Sequence, residues 1–270
     1  MLFGYVAILP AQQMQVRAAT ANQNNIVARA NYLYNATWVC QKTVSGWRGN
    51  YTFTKGNTYH LPYGQPVSAG AYIGYSVSVD AFLEAAANAN SVFYTSKSNY
   101  AGKYSTYYAT DCSAYVSWSW GTSRNTTATI PNISTYIGSV TTSNVTNKLQ
   151  LGDCLNSTSA GHVVLVTGLS YNASGAVTGI EITEQTPPQL KRTNHPVSSL
   201  VSKYGSSYKI YRYNGTVPGA PDGSSAGSAT TSFGVKVSAG LKNWIFNAAY
   251  YKENNSDLSP LNDEQLYDHF

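Results

Sequence analysis

Val163-Val164-Leu165-Val166 and Val177-Thr178-Gly179-Ile180-Glu181-Ile182-Thr183 flank the turn-forming Asn172-Ala173-Ser174-Gly175. The two runs are rich in β-branched residues and read as the strands of a β-hairpin. A third strand is expected at residues 208–213, which gives the antiparallel sheet of an α+β domain. Upstream, Ile26, Ala30, Leu33 and Tyr34 recur at helical spacing behind an Asn-rich start, so residues from about 25 to 37 predict an amphipathic helix. A second helix is expected after Ser78, with Asp80 in its first turn. Residues 88–99 read as loop. Between the two helices, residues 46–74 are thick with Gly, Pro and aromatics (Trp47, Tyr51, Phe53, Tyr59, Tyr63, Tyr72), which suits loops and short strands walling a groove.

The 270 residues, 43% of them hydrophobic, suffice for one large domain with a small appendage. Charged residues make up only 11%, against about 25% in ordinary globular chains. Tyr, Gly, Ser, Thr and Asn fill the polar quota instead, a balance that suggests an extracellular protein. The abundance of aromatics excludes wholesale disorder. The net charge is +5, yet the basic residues are scattered and Lys191-Arg192 is the one adjacent pair, so nucleic acid is not an expected partner. No run approaches the roughly 20 apolar residues of a membrane-spanning helix. Cys40, Cys112 and Cys154 make no disulfide framework, although a Cys40–Cys154 pair leaving Cys112 free is open. Neither Cys-x-x-Cys nor His-Glu-x-x-His occurs, so neither a metal nor another cofactor is expected.

The sharpest chemical signal is Thr110-Asp111-Cys112-Ser113-Ala114-Tyr115-Val116. Asp111 is placed to cap a helix whose first turn holds Cys112 and whose end is marked by Gly121. A thiol there feels the positive end of the helix dipole, which favours the nucleophilic thiolate. The alternation Ser117-Trp118-Ser119-Trp120 fits a strand equally well by periodicity alone. A nucleophile needs a base, and His162, following Ala160-Gly161 at the start of the hairpin, is the candidate. Pairing about Ala173 would set Glu184 across from His162, and a one-residue slip would offer Gln185. Either accepts the Nδ1–H and leaves Nε2 to face the thiol. Taken singly, these residues read as a packed cysteine, a core histidine and a strand-end carboxylate; their order Cys, His, acid favours nucleophilic catalysis.

Asp-Cys-Ser-Ala-Tyr-Val at 111–116, Leu-Gly-Asp at 151–153 and Gly-His-Val-Val-Leu-Val at 161–166 resemble the papain-like cell-wall cysteine peptidases of the NlpC type and the related CHAP amidases. The resemblance spans about residues 25–214, with its specific motifs inside 110–186. It implies a papain-like fold with the nucleophile helix packed on a small antiparallel sheet, and cleavage of amide bonds in peptidoglycan peptides. Cys112 would be the nucleophile, His162 the base and Glu184 the CHAP-like orienter. The NlpC pattern puts its third polar residue about a dozen positions after the histidine, where this chain has Ser174 in the expected turn. Pro-Tyr-Gly at 62–64 is similar to an aromatic segment that these enzymes keep before the nucleophile, here followed by an unusually long insertion. Tyr63, Asp111, Ser113 and Trp118 are the expected substrate-binding residues.

The chain divides into a signal-like segment at 1–21, a catalytic domain at 22–217, a Pro/Gly/Ser linker at 218–231 and a tail at 232–270. The first combines an apolar stretch with Ala19-Thr20-Ala21, a small-x-small cleavage pattern, and lacks a basic start; a buried N-terminal strand is the other reading. The tail is similar to the first part of a short repeat found at the ends of secreted bacterial surface proteins. The expectation is a secreted, cell-wall-associated monomer. Two alternatives are a cysteine acyltransferase on the same fold and a non-catalytic cell-wall or glycan-binding module with a Tyr-rich surface.

Overall fold

The computed structural model describes residues 19–48, 50–66, 70–96 and 106–221, and two short strands beyond them at Ala229–Thr230 and Lys236–Val237. Most of the signal-like segment, and most of the linker and tail, lie outside the described residues. The first half of the chain contains α1 (Ala21–Tyr34), β1 (Trp38–Val39), β2 (Val44–Trp47), β3 (Tyr51–Phe53), β4 (Thr58–Tyr59), β5 (Ala71–Tyr72), α2 (Val79–Ala87), α3 (Val92–Thr95), β6 (Tyr108–Ala109) and α4 (Cys112–Ser119). The second half adds β7 (Ser134–Ser139), α5 (Thr142–Lys148), β8 (Cys154–Ser157), β9 (His162–Tyr171), β10 (Val177–Thr186), β11 (Gln189–Pro196), α6 (Val197–Tyr204) and β12 (Lys209–Tyr213).

The expected hairpin is β9–β10, and the expected third strand is β12. They belong to one antiparallel six-stranded sheet in the order β11-β10-β9-β8-β12-β7, which makes the chain mixed α+β. Both faces of this sheet are covered. Val163 and Leu165 enter a core shared with Leu33 of α1 and Tyr115 and Val116 of α4, whereas Val164 and Val166 enter a second core with Val145 of α5 and Leu200 of α6. Burial on both faces explains why β9 reads as an unbroken apolar run rather than an alternating one. Each fully buried valine or leucine contributes about 1.5–3 kcal/mol.

Helix α1 begins earlier than its apolar spacing suggests. Thr20 and Gln23 form a reciprocal capping box, with Gln23 N donating to Thr20 Oγ1 at 3.3 Å and Thr20 N to Gln23 Oε1 at 2.8 Å. These local bonds, rather than the Asn-rich stretch, set the start. Thr20, the middle residue of the small-x-small pattern, is therefore the helix cap. Ser78 caps α2 as expected, while residues 88–99, read as loop, include the short helix α3.

The aromatics of residues 46–74 do not line a groove as a set. Trp47 and Phe53 are fully buried, and Trp38 packs edge-on against Phe53, Phe82 and Phe93 at 5.2, 6.1 and 5.1 Å between centroids. The pairs β1–β4, β2–β3 and β5–β6 are only two to four residues long. Strands this short bury little by themselves, so large rings supply the core area. The chain also stays attached beyond β12, because Asn22 Nδ2 and Asn25 Nδ2 donate to the carbonyls of Gly215 and Val217, and Arg29 Nη1 to that of Gly219. The first residues of the expected linker thus dock on α1. Among the described residues no helix is long and apolar enough to cross a membrane.

Candidate functional site

Helix α4 starts where the sequence expects. Asp111 is its N-cap, accepting from Ala114 N at 2.8 Å through Oδ1, and Gly121 follows the helix in the left-handed conformation at φ +68°. The alternating Ser and Trp residues 117–120 belong to this helix and its C-cap. All eight residues of α4 are buried because it packs between α1 and strands β9 and β10. The N–H groups of its first turn have no intrahelical acceptor, and Cys112 holds the first helical position among them.

His162 is the first residue of β9, directly after a turn in which Gly161 N donates to Thr158 O and Ala160 N to Ser157 Oγ. Gly161 has φ +63° with open space where a Cβ would be, so the turn needs glycine for its backbone angle and not for room. The Gly161 carbonyl accepts from the Cys112 thiol at 3.9 Å. The turn thereby brings the start of β9 to the start of α4.

His162 and Glu184 meet, though not by the register expected. The β9–β10 pairing centres on Ser174 rather than Ala173, with Tyr171 opposite Val177, and after two irregularities that cancel it ends at Thr183 opposite Leu165. Continued, it would set Glu184 against Val164 rather than His162. His162 and Glu184 share one face, two residues apart along the ladder, and Nε2 reaches Glu184 Oε2 diagonally at 2.9 Å. Gln185, the alternative partner, donates from Nε2 to the Leu61 carbonyl at 3.1 Å. The ring is also turned relative to expectation. Nε2, not Nδ1, bonds the carboxylate, and Nδ1 is the nitrogen left for Cys112.

The electrostatics of the pair follow from this geometry. Burial alone would disfavour a charged imidazole at His162, but hydrogen bonds to Cys112 and Glu184 outweigh it and hold its pKa up at about 9. Burial would likewise raise Glu184; the His162 bond, Lys191 and Lys203 prevail and hold it down at about 2. Near neutral pH the two are an imidazolium and a carboxylate. All three cysteines are free thiols, so no Cys40–Cys154 bond forms. Burial raises the pKa of Cys40 and raises that of Cys154 well above the ordinary value.

Of the expected substrate-binding residues, Tyr63 is buried, forms a parallel bridge with Thr110 two positions before Cys112, and carries the Arg48 guanidinium over its ring at 4.9 Å. The other three are likewise bound into the fold. Asp111 is 1% exposed and holds Ser113 Oγ, Arg124 Nη2 at 2.6 Å and the Tyr72 hydroxyl at 3.2 Å besides its cap bond. Trp118 donates to the Gly74 carbonyl at 2.6 Å and lies under the Arg29 guanidinium. Asp153 of Leu-Gly-Asp is fully buried in a two-point bond with Arg212 of β12, at 2.8 Å for each contact. Gly152 accepts from the Trp120 indole at 2.9 Å, which ties the end of α4 to the sheet.

Three residues that the sequence reading did not single out border the pair. Lys191 and Lys203 approach Glu184 Oε1 at 3.5 and 3.4 Å, and the half-buried Tyr208 ring stands edge-on to His162 at 6.5 Å. Lys191 had a readable signal: a tight turn at Pro187-Pro188 pairs Thr186 with Gln189 and therefore Glu184 with Lys191. Among the described residues no group of three His, Cys, Asp or Glu side chains is arranged to hold a metal ion. Compared with known proteins, the chain matches no family model, no curated protein and no solved structure.

Proposed function

We propose that this chain is a secreted cysteine hydrolase of papain-like topology that cleaves amide bonds, with peptidoglycan peptides as its substrate. One observation carries the reading. A thiol at a helix N-terminus shares a histidine with a buried, ionised glutamate, and that histidine is held as imidazolium. The reaction begins with attack of the Cys112 sulfur on the amide carbonyl, forming the C–S bond while the oxyanion takes the N–H of Cys112 and a second donor. His162 passes a proton to the leaving nitrogen as the C–N bond breaks. Water then attacks the thioester, gives its proton to His162 and releases the acid and the Cys112 thiolate. Glu184 moves no proton in this scheme; it orients the ring and stabilises the imidazolium. Tyr63 lines the substrate path beside the nucleophile.

The test is digestion of purified peptidoglycan and of its stem peptides, read by chromatography and mass spectrometry of the released amines. The wild-type chain should generate new amino termini, and Cys112→Ala and His162→Ala should lose the activity by at least about three orders of magnitude. Full activity in either variant would overturn the proposal. Binding to the glycan without turnover, unchanged by Cys112→Ala, would favour the non-catalytic wall-binding module.

A further inference from the structure

The flank of the site holds more positive charge than its own carboxylate balances. Elsewhere in the described residues buried or half-buried carboxylates are matched to an arginine: Asp111 to Arg124, Asp153 to Arg212 and Glu181 to Arg192. Glu184 instead faces three cations. His162 occupies Oε2, while Lys191 from β11 and Lys203 from α6 converge on Oε1. Glu184 is 5% exposed, but the two lysine side chains are 50% and 45% exposed. Ion pairs this exposed add little to stability, and a second lysine on one oxygen adds less than the first. Each ammonium carries three donors, so both keep donors for a ligand after meeting Glu184.

We infer that Lys191 and Lys203 form a carboxylate-recognising subsite beside the scissile amide, selecting substrates that carry an acidic group next to the bond cut. The assignment rests on the hydrolase reading above and adds to it the class of substrate. An incoming carboxylate would sit on the solvent side of Glu184, replacing water at two ammonium groups whose positions two different elements fix.

Cys112 itself can report on the subsite through two alkylating probes of nearly equal size, anionic iodoacetate and neutral iodoacetamide. The ratio of the two rates at Cys112, divided by the same ratio for free glutathione, should be on the order of tenfold at low salt and should shrink as salt is added. In Lys191→Gln/Lys203→Gln the ratio should fall about fivefold or more while the iodoacetamide rate changes less than about twofold, and Lys191→Arg/Lys203→Arg should keep it. Both lysines are half-exposed, so these variants leave the core intact. Fast alkylation with no lysine-dependent preference overturns the subsite and leaves the hydrolase reading standing. An equal change in both rates also overturns it, because the lysines then act only through Glu184 and His162. Slow alkylation by both reagents, at the rate of the buried Cys40, overturns the hydrolase reading and the subsite with it.

Discussion

Replacing Glu184 by Gln keeps the side chain's shape and its hydrogen-bond acceptor but removes the charge that, together with the bond to Cys112, holds His162 protonated. His162 lies at about 9 against an ordinary 6.5, a rise of about 2.5 units achieved against the opposing effect of burial. The bonds to Cys112 and Glu184 therefore supply more than about 3 kcal/mol between them at 1.36 kcal/mol per unit. An opposite charge at hydrogen-bonding distance accounts for roughly 1–3 units of such a shift. The substitution also leaves Lys191 and Lys203 without their counter-ion, and their repulsion adds to the fall. The expected His162 pKa in Glu184→Gln is thus about 7, a loss of roughly 2 units or 3 kcal/mol. The assay is an NMR titration of the His162 ring between pH 5 and 10, with His60 followed as an internal reference. A His162 pKa that stays within about 0.5 unit of the wild-type value would refute the reasoning, because Glu184 would then not be what holds the imidazolium.

Stability should track the same pair. The folded pKa of His162 is raised above its unfolded value, so its contribution is complete below pH 6.5 and is lost as pH rises through about 9, at most about 3 kcal/mol. The folded pKa of Glu184 is lowered, so its contribution is complete above pH 4.5 and is lost as pH falls through about 2. The His162–Glu184 bond contributes to both, and urea unfolding of wild type and His162→Gln at pH 6 and pH 9 should show the stability difference between them shrink toward the higher pH. In Arg212→Met the fully buried Asp153 loses its two-point partner, and about 3–5 kcal/mol of unfolding free energy should go with it. The double variant Asp153→Asn/Arg212→Met should recover part of that loss, since no buried charge is stranded.

The parts of this fold that could be read from the sequence are those with local chemistry. Asp111 and Gly121 mark the two ends of α4, and Asn172 marks the β9–β10 turn by accepting from Ser174 N and Ala176 N through one oxygen. The missed elements have no such contrast. Strand β11 includes Lys191-Arg192-Thr193-Asn194-His195, whose polar surface hides its pairing with β10, and α6 begins after Pro196 with no side-chain cap. At the site, Cys112, His162 and Glu184 were legible as residue types and chain order. Their bonding was not, because the β9–β10 pairing centres on Ser174 rather than Ala173, which moves the register by two residues and turns a cross-strand pair into a diagonal one. That Asp111, Ser113 and Trp118 are consumed by packing was likewise hidden. Their partners Arg124, Tyr72, Gly74 and Arg29 lie 13 to 89 positions away in pairings that only the folded chain makes.

The most direct test of an activated Cys112 is its alkylation by iodoacetamide as a function of pH, read by peptide mass spectrometry with Cys40 and Cys154 as internal controls. The two controls are buried thiols with raised pKa and should stay nearly inert across the range. The account predicts rapid labelling of Cys112 below pH 7, slowed to the rate of an unassisted thiol by His162→Ala. Labelling of Cys112 that rises only near the ordinary thiol value of about 8.5, and is the same in His162→Ala, would contradict it.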